Sequence, residues 1–133
     1  MDCLFCKIAE GEISSYTVFE DQNVLAFLDI HPCSKGHTIV IPKKHFDDIS
    51  KMSEQDYVKM TNGLKHTLER IQTIIHPDGV NMGINNGLAA GQAVAHAHWH
   101  IIPRWNNDGG GSMHSIIKNG EGVDVKAVAE LFK

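Results

Sequence analysis

The chain has 133 residues, 42% of them hydrophobic and 21% charged, with a formal net charge of −4. This balance excludes a disordered chain, and the negative sign supplies no basic field for long nucleic acid or an anionic membrane. No apolar run approaches the ~20 residues of a membrane span, and Met1-Asp2-Cys3 does not open a signal peptide, so a cytoplasmic protein is expected. In chain order, Leu4, Phe5 and Ile8 share one face of a short helix that Gly11 would end. Tyr16 to Phe19 and Val24 to Leu28 are β-prone runs on either side of a polar turn, a predicted hairpin. His37 to Ile41 is a third strand, stopped by Pro42. Ser53 to Ile75 reads as one long helix: Ser53 and Asp56 resemble a capping box, and Tyr57, Met60, Leu64, Leu68, Ile71 and Ile75 recur at helical spacing. Val80 to Asn85 is a fourth strand, and Ala95 to Ile102 a fifth, ended by Pro103. Between them lies a loop rich in Gly and Ala, Asn86 to Gln92. Val125, Val128, Ala129 and Phe132 predict a short closing helix. The expected fold class is α+β: a five-stranded antiparallel sheet with one long helix and short terminal helices.

Nine histidines are many for this length, and they are densest in His96-Ala97-His98-Trp99-His100. On a strand this period-two pattern sends all three imidazoles to one face and turns Trp99 and Ile101 to the other. A polar strand face without chemistry is one reading. A single metal ion held by all three is a second. Distance disfavours it, because His96 and His100 would be about 13 Å apart on an extended strand, whereas zinc takes nitrogens at about 2.0–2.1 Å. The third reading is nucleophilic catalysis by the central His98, whose imidazole is largely unprotonated near neutral pH, with its neighbours orienting it and stabilising charge. The preceding loop fits this reading. Gly91 and Ala93 would let backbone amides approach a phosphate, and Gln92 and Asn85 could add side-chain donors.

The stretch from Asn85 to Arg104, N-N-G-L-A-A-G-Q-A-V-A-H-A-H-W-H-I-I-P-R, closely resembles the histidine-triad (HIT) family, and its bacterial Hint-like branch most. The resemblance continues through His37-Thr38-Ile39-Val40-Ile41-Pro42-Lys43-Lys44-His45 and Ala26-Phe27-Leu28-Asp29-Ile30 to Cys3-Leu4-Phe5-Cys6-Lys7-Ile8. It implies a single HIT domain over 1–133, with the motifs in 3–105 and a tail over 106–133. It also implies a two-step reaction at the α-phosphate of a purine nucleotide, in which His98 forms a covalent nucleotidyl-histidine that water hydrolyses. His100 would contact the α-phosphate, and His96 and His37 would orient the row. Asn85 and the Gly91, Gln92, Ala93 and Val94 segment would hold phosphate or ribose, and Asp29 the ribose hydroxyls. Leu4, Phe5, Ile8, Ile13, Phe27 and Ile30 match the apolar base pocket, although each could equally be core. Ala93 stands where eukaryotic relatives carry a serine that supports leaving-group handling, which bears on phosphoramidase efficiency.

Three cysteines cannot all pair. Cys3-x-x-Cys6 without secretory features reads as a metal or redox pair, or as two reduced surface thiols. The family resemblance implies a structural Cys₂His₂ zinc site of Cys3, Cys6, His45 and His96, with no catalytic metal. His31, His66, His76 and His114 are expected to be solvent-exposed, and Cys33 an ordinary thiol. Candidate substrates are phosphoramidates, acyl adenylates and dinucleoside polyphosphates. A nucleotide-binding regulatory module with little turnover is the alternative. An active-site-zinc hydrolase and a transferase to a sugar phosphate are further readings, the last disfavoured by the short chain. The resemblance further implies a homodimer.

Overall fold

In the computed structural model, which describes residues 2–133, five strands form one antiparallel sheet. Helix α1 (Leu4–Ala9) leads into β1 (Thr17–Glu20), β2 (Val24–Leu28) and β3 (Thr38–Pro42). The long helix α2 (Glu54–Ile75) comes next, then β4 (Gly79–Gly83), β5 (Trp99–Arg104) and a short α3 (Val125–Glu130). The strand order is β1-β2-β3-β5-β4. Among the described residues, no helix is long and apolar enough to cross a membrane.

The central strands are apolar at almost every position because both faces are covered. Val24, Ala26, Val40, Trp99 and Ile101 pack with Met60 and Ile71 of α2. Leu25, Phe27, Ile39 and Ile41 pack on the opposite face with Cys3 and Phe5 of the α1 segment. The expected start of α2 is realised as a cap: the Asp56 N–H donates to Ser53 Oγ at 3.1 Å, and the Ser53 hydroxyl donates to the Asp56 carboxylate at 2.9 Å. Periodicity misses two of the helix's buried positions, Gly63 and Thr67. A Cβ on Gly63 would lie 2.7 Å from both Val24 methyls, so glycine is what allows α2 to lie this close to β2.

Of the two prolines expected to end strands, one does and one does not. Pro42 is the last residue of β3, opposite Val24. Pro103 sits in β5 opposite Val80. Its carbonyl accepts from the Ser34 hydroxyl at 2.7 Å, so its missing N–H falls on the side where β3 pairs only as far as Ile101. The fifth strand also starts later than Ala95. Pro42 has no N–H to extend the ladder, and the Ala97 N–H donates instead to the Phe46 carbonyl at 2.7 Å. His96 and His98 therefore precede β5, and only His100 belongs to it.

The tail also departs from expectation. Helix α3 forms where predicted, but it does not close the fold: Val125, Leu131 and Phe132 are largely exposed, as are Ile116 and Ile117. His31, His66, His76 and His114 are exposed as read, with His66 stacked on Phe19 at 5.7 Å.

Replacing Gly63 with Ala should destabilise the protein by about 1–3 kcal/mol through overpacking against Val24, despite alanine's better helix propensity. Urea denaturation should show a lower midpoint with an unchanged slope.

Candidate active site and metal centre

Four metal-type donors meet beside α1. Cys3 caps the helix and Cys6 lies in its first turn, the Cys6 N–H donating to Cys3 Sγ at 3.4 Å. Cys3 Sγ lies 3.5 Å from His96 Nδ1, and Cys6 Sγ lies 3.3 Å from His45 Nδ1 and 3.6 Å from His96 Nδ1. The two Nδ1 atoms are 3.2 Å apart. The outer nitrogens decide what these inner ones are. His96 Nε2 donates to the Pro42 carbonyl at 2.8 Å, and His45 Nε2 to the Asp47 carboxylate at 3.0 Å. Carbonyl and carboxylate oxygens only accept, so both Nδ1 atoms present lone pairs to each other. That contact is repulsive unless a cation lies between them. With bonds of about 2.0–2.3 Å, the edges of a tetrahedral Cys₂His₂ site are roughly 3.3–3.8 Å, close to the spacings found. Burial and the adjacent Cys3 push the Cys6 thiol up to about 11, so without a cation it stays protonated. The residues fit a structural tetrahedral ion.

The rest of the histidine row is set by a chain of fixed tautomers. His98 Nδ1 donates to the His96 carbonyl at 2.7 Å, which leaves Nε2 with a lone pair. The ring is only 5% exposed, and Phe5 and His100 meet it edge-on at centroid distances of 5.0 and 5.1 Å. Every fully buried side-chain nitrogen or oxygen among the described residues has a partner. His98 Nε2 has none, so it is the part of the ring that reaches the surface. Further along, the Cys33 N–H donates to His37 Nδ1 at 3.0 Å. His37 Nε2 therefore carries the proton and donates to His100 Nδ1 at 2.9 Å. A neutral His100 then carries its own proton on Nε2. Burial first, then neighbouring His98 and His37, pushes the His100 pKa down to about 4, so the ring is neutral at pH 7. Burial likewise lowers His37.

Asp29, His37 and His100 also cluster, with ligand atoms within 4.8 Å of one another. The Cys33 N–H argues against an ion there, since it holds the proton on His37 Nε2, where a metal would have to bind. Asp29 instead accepts from the His31 N–H at 2.8 Å and faces His37 at 3.7 Å.

The glycine loop is closed on itself. Gly87 and Gly91 adopt positive φ (93° and 92°) around a 3₁₀ turn, Leu88–Ala90. The Ala90 and Gln92 N–H groups both donate to the Gly87 carbonyl, at 3.1 Å each. The N–H groups of Ala93 and Val94 find no partner among the described residues. Gln92, expected to offer its amide to a phosphate, is turned into the loop: Oε1 accepts from Gly87 N–H at 2.8 Å, and Nε2 donates to the Asp47 and Val94 carbonyls at 2.7 and 3.0 Å. Asn85 is exposed beside Gly91.

The residues expected to line the base pocket differ in exposure. Phe5 and Phe27 are buried and packed edge-on at 5.6 Å, Ile8 is half-buried, and Leu4, Ile13 and Ile30 are exposed. The large cavity that reaches the site, about 360 Å³, opens on the other side, between β4 and the tail. His37, His100 and Asn85 line it, together with Cys33, Met82 and Met113, none of which sequence reasoning had placed near the site. The pairing of β4 with β5 brings Met82 there, the path of the tail Met113, and the β2–β3 loop Cys33; no local pattern marks them.

Residues 10–107 match the family model of the HIT domain, well over half of the chain. The chain belongs to the HIT family. An uncharacterized HIT-like protein of Methanocaldococcus jannaschii is 44% identical over 133 residues, covering 98% of each chain. An adenosine 5′-monophosphoramidase of Schizosaccharomyces pombe is 40% identical over 110 residues, covering 83% of this chain and 80% of the relative. A HIT family structure from Bacillus subtilis has a TM-score of 0.87 at 36% identity, covering 99% of this chain and 95% of the other. A zinc-bound histidine triad family structure from Mycobacterium smegmatis has a TM-score of 0.76 at 38% identity, covering 82% and 79%. The sheet and helices described above are thus a HIT fold, as the sequence implied.

His100 gives a signed pH dependence. In the unfolded chain a histidine takes up a proton near pH 6.5, whereas folded His100 resists it down to about 4. Stability is therefore full above pH 6.5 and falls as pH drops toward 4, by about 2 kcal/mol after allowing for solvent screening at this half-buried ring. In His100→Asn, whose side-chain oxygen still accepts from His37, denaturation midpoints measured from pH 7 to 4 should fall less steeply than in the parent.

Proposed function

We propose that this HIT protein is a nucleotide hydrolase in which His98 Nε2 attacks the α-phosphorus of a purine nucleoside phosphoramidate, adenylate or dinucleoside polyphosphate. One observation carries the reading. The His98 Nδ1–H bond to the His96 carbonyl leaves a lone pair on the surface-reaching nitrogen, and neighbouring neutral His100 has its proton on Nε2. A lone-pair nitrogen and a hydrogen-bond donor thus stand side by side, the donor ring His100 being neutral at physiological pH. The unpartnered amides of Ala93 and Val94 offer further donors to phosphoryl oxygens, where negative charge concentrates during transfer.

In the first step the His98 Nε2 lone pair forms a bond to phosphorus as the bond to the leaving group breaks, giving a nucleotidyl-histidine and a leaving group that departs with the bonding pair and takes a proton from solvent. His100 Nε2–H and the loop amides hold the phosphoryl oxygens. In the second step water attacks phosphorus and gives a proton to solvent, the P–N bond breaks with its electron pair returning to Nε2, and neutral His98 is restored. The His96 carbonyl, accepting from Nδ1–H, stabilises the positive charge that the ring gains in the first step. The similarity to the adenosine 5′-monophosphoramidase of Schizosaccharomyces pombe supports the substrate class.

We also assign Cys3, Cys6, His45 and His96 as ligands of a structural zinc ion, supported by the tetrahedral donor spacing and by the zinc-bound mycobacterial relative. Zinc there would draw the Cys6 proton off and tie α1 to the sheet; the chemical step needs no metal.

Two measurements test these assignments. Release of adenosine monophosphate from an adenosine phosphoramidate should fall roughly 10³-fold or more in His98→Ala. Equal rates in parent and variant would make the protein a binding module. Removing zinc with a strong chelator, or substituting Cys3→Ser, should lower the thermal midpoint by several degrees while turnover at saturating substrate persists. Complete loss of turnover with the fold intact would move the metal into the chemistry.

A further inference from the structure

From the bonds of Gln92 we infer that its carboxamide is a latch joining the four-donor metal cluster to the glycine loop, so that metal occupancy and phosphate affinity are thermodynamically linked. The inference rests on the nucleotide reading above for its ligand, and on the cluster's geometry for its metal.

The carbonyls that Gln92 holds are not arbitrary. Asp47 lies two residues after the ligand His45, and Val94 two residues before the ligand His96. One planar amide therefore spans the two chain segments that deliver the nitrogen donors, while its Oε1 accepts from Gly87 at the far end of the loop. Both Nε2 protons and one Oε1 lone pair are engaged, a set that a primary amide alone among side chains supplies. Other bonds close the same seam. The Ala97 N–H donates to the Phe46 carbonyl at 2.7 Å, and the Ile49 N–H to Asn86 Oδ1 at 3.0 Å. With an ion in the cluster, His45 and His96 are held at their 3.2 Å Nδ1 separation, and the Asp47 and Val94 carbonyls keep the spacing that the amide bridges. Without it the two lone pairs repel, the Asp47 carbonyl moves off, and Gln92 holds the loop by fewer bonds. The Ala93 and Val94 amides then leave the geometry in which they meet a phosphate. Gln92 acts through these amides, as a positioning residue.

Coupling of this kind is reciprocal: whatever zinc does for nucleotide affinity, nucleotide does for zinc affinity. The link amounts to about one neutral hydrogen bond, a change of roughly fivefold in either dissociation constant.

The test compares zinc-loaded and chelator-stripped protein, as parent and as Gln92→Met, which keeps the shape but loses the three bonds. Amide hydrogen exchange reads the loop, and calorimetry reads adenosine monophosphate binding. In the parent, zinc should slow exchange at Gly87 and its loop neighbours and tighten adenosine monophosphate about fivefold. In Gln92→Met both effects should vanish although zinc still binds. Gln92→Glu retains the acceptor for Gly87 but no donor for Asp47, so it should lose the zinc dependence too; it serves if the Met variant does not fold. Zinc-independent loop exchange in the parent would overturn the latch, as would an undiminished zinc effect in the variants. Loss of α2 protection along with the loop on stripping would also overturn it, because the metal would then be holding the whole fold. Zinc-dependent exchange without any adenosine monophosphate binding would leave the latch standing and sink the nucleotide reading.

Discussion

The hydrogen bond from His98 Nδ1 to the carbonyl of His96 divides one run of sequence into two chemistries. On one side, the His96 ring turns its Nδ1 toward two thiols and His45. On the other, the His98 ring presents a bare Nε2 beside His100. The residue that serves the cluster with its side chain thus sets the tautomer of its neighbour with its main chain. Had the His98 proton sat on Nε2, the exposed nitrogen would be a donor and the attack on phosphorus would lack its electron pair.

The same rule recurs along the row. Backbone carbonyls only accept and backbone N–H groups only donate, so each contact with the main chain assigns one imidazole proton. Pro42 assigns that of His96, the His96 carbonyl that of His98, and the Cys33 N–H that of His37, which passes the assignment to His100. Burial lowers the pKa of His37, His96 and His100, so these three resist taking a second proton. The rings of His37 and His98 stand 5.2 and 5.1 Å from that of His100, and as cations they would repel it.

Core packing fits the site to this purpose. Phe5 belongs to the apolar layer beneath the sheet and also packs edge-on with His98, so the hydrophobic layer and the proposed nucleophile share a wall. On the other face, the close approach of α2 at Gly63 presses the sheet from behind. The sheet's central strands are enclosed, while β4 keeps a free edge and the tail leaves its apolar residues uncovered. A cavity lined by His37 and His100 accordingly opens between β4 and that tail.

Much of this was written into local sequence. β-prone runs mark all five strands, helical periodicity marks the long helix, and His-x-His-x-His after a glycine-rich loop marks the site, because these signals follow from residue type and spacing along the chain alone. What local pattern could not show is where partners come from. The late start of β5 depends on Pro42 from another strand, and the burial of Gly63 on Val24. The engagement of the Gln92 amide depends on a carbonyl 45 residues away, and the proton positions on His37 and His100 depend on Cys33. Sequence by itself determined which side chains are available; tertiary structure decided which atoms of those side chains are free, because a hydrogen bond between distant residues consumes a donor or lone pair that no local pattern records.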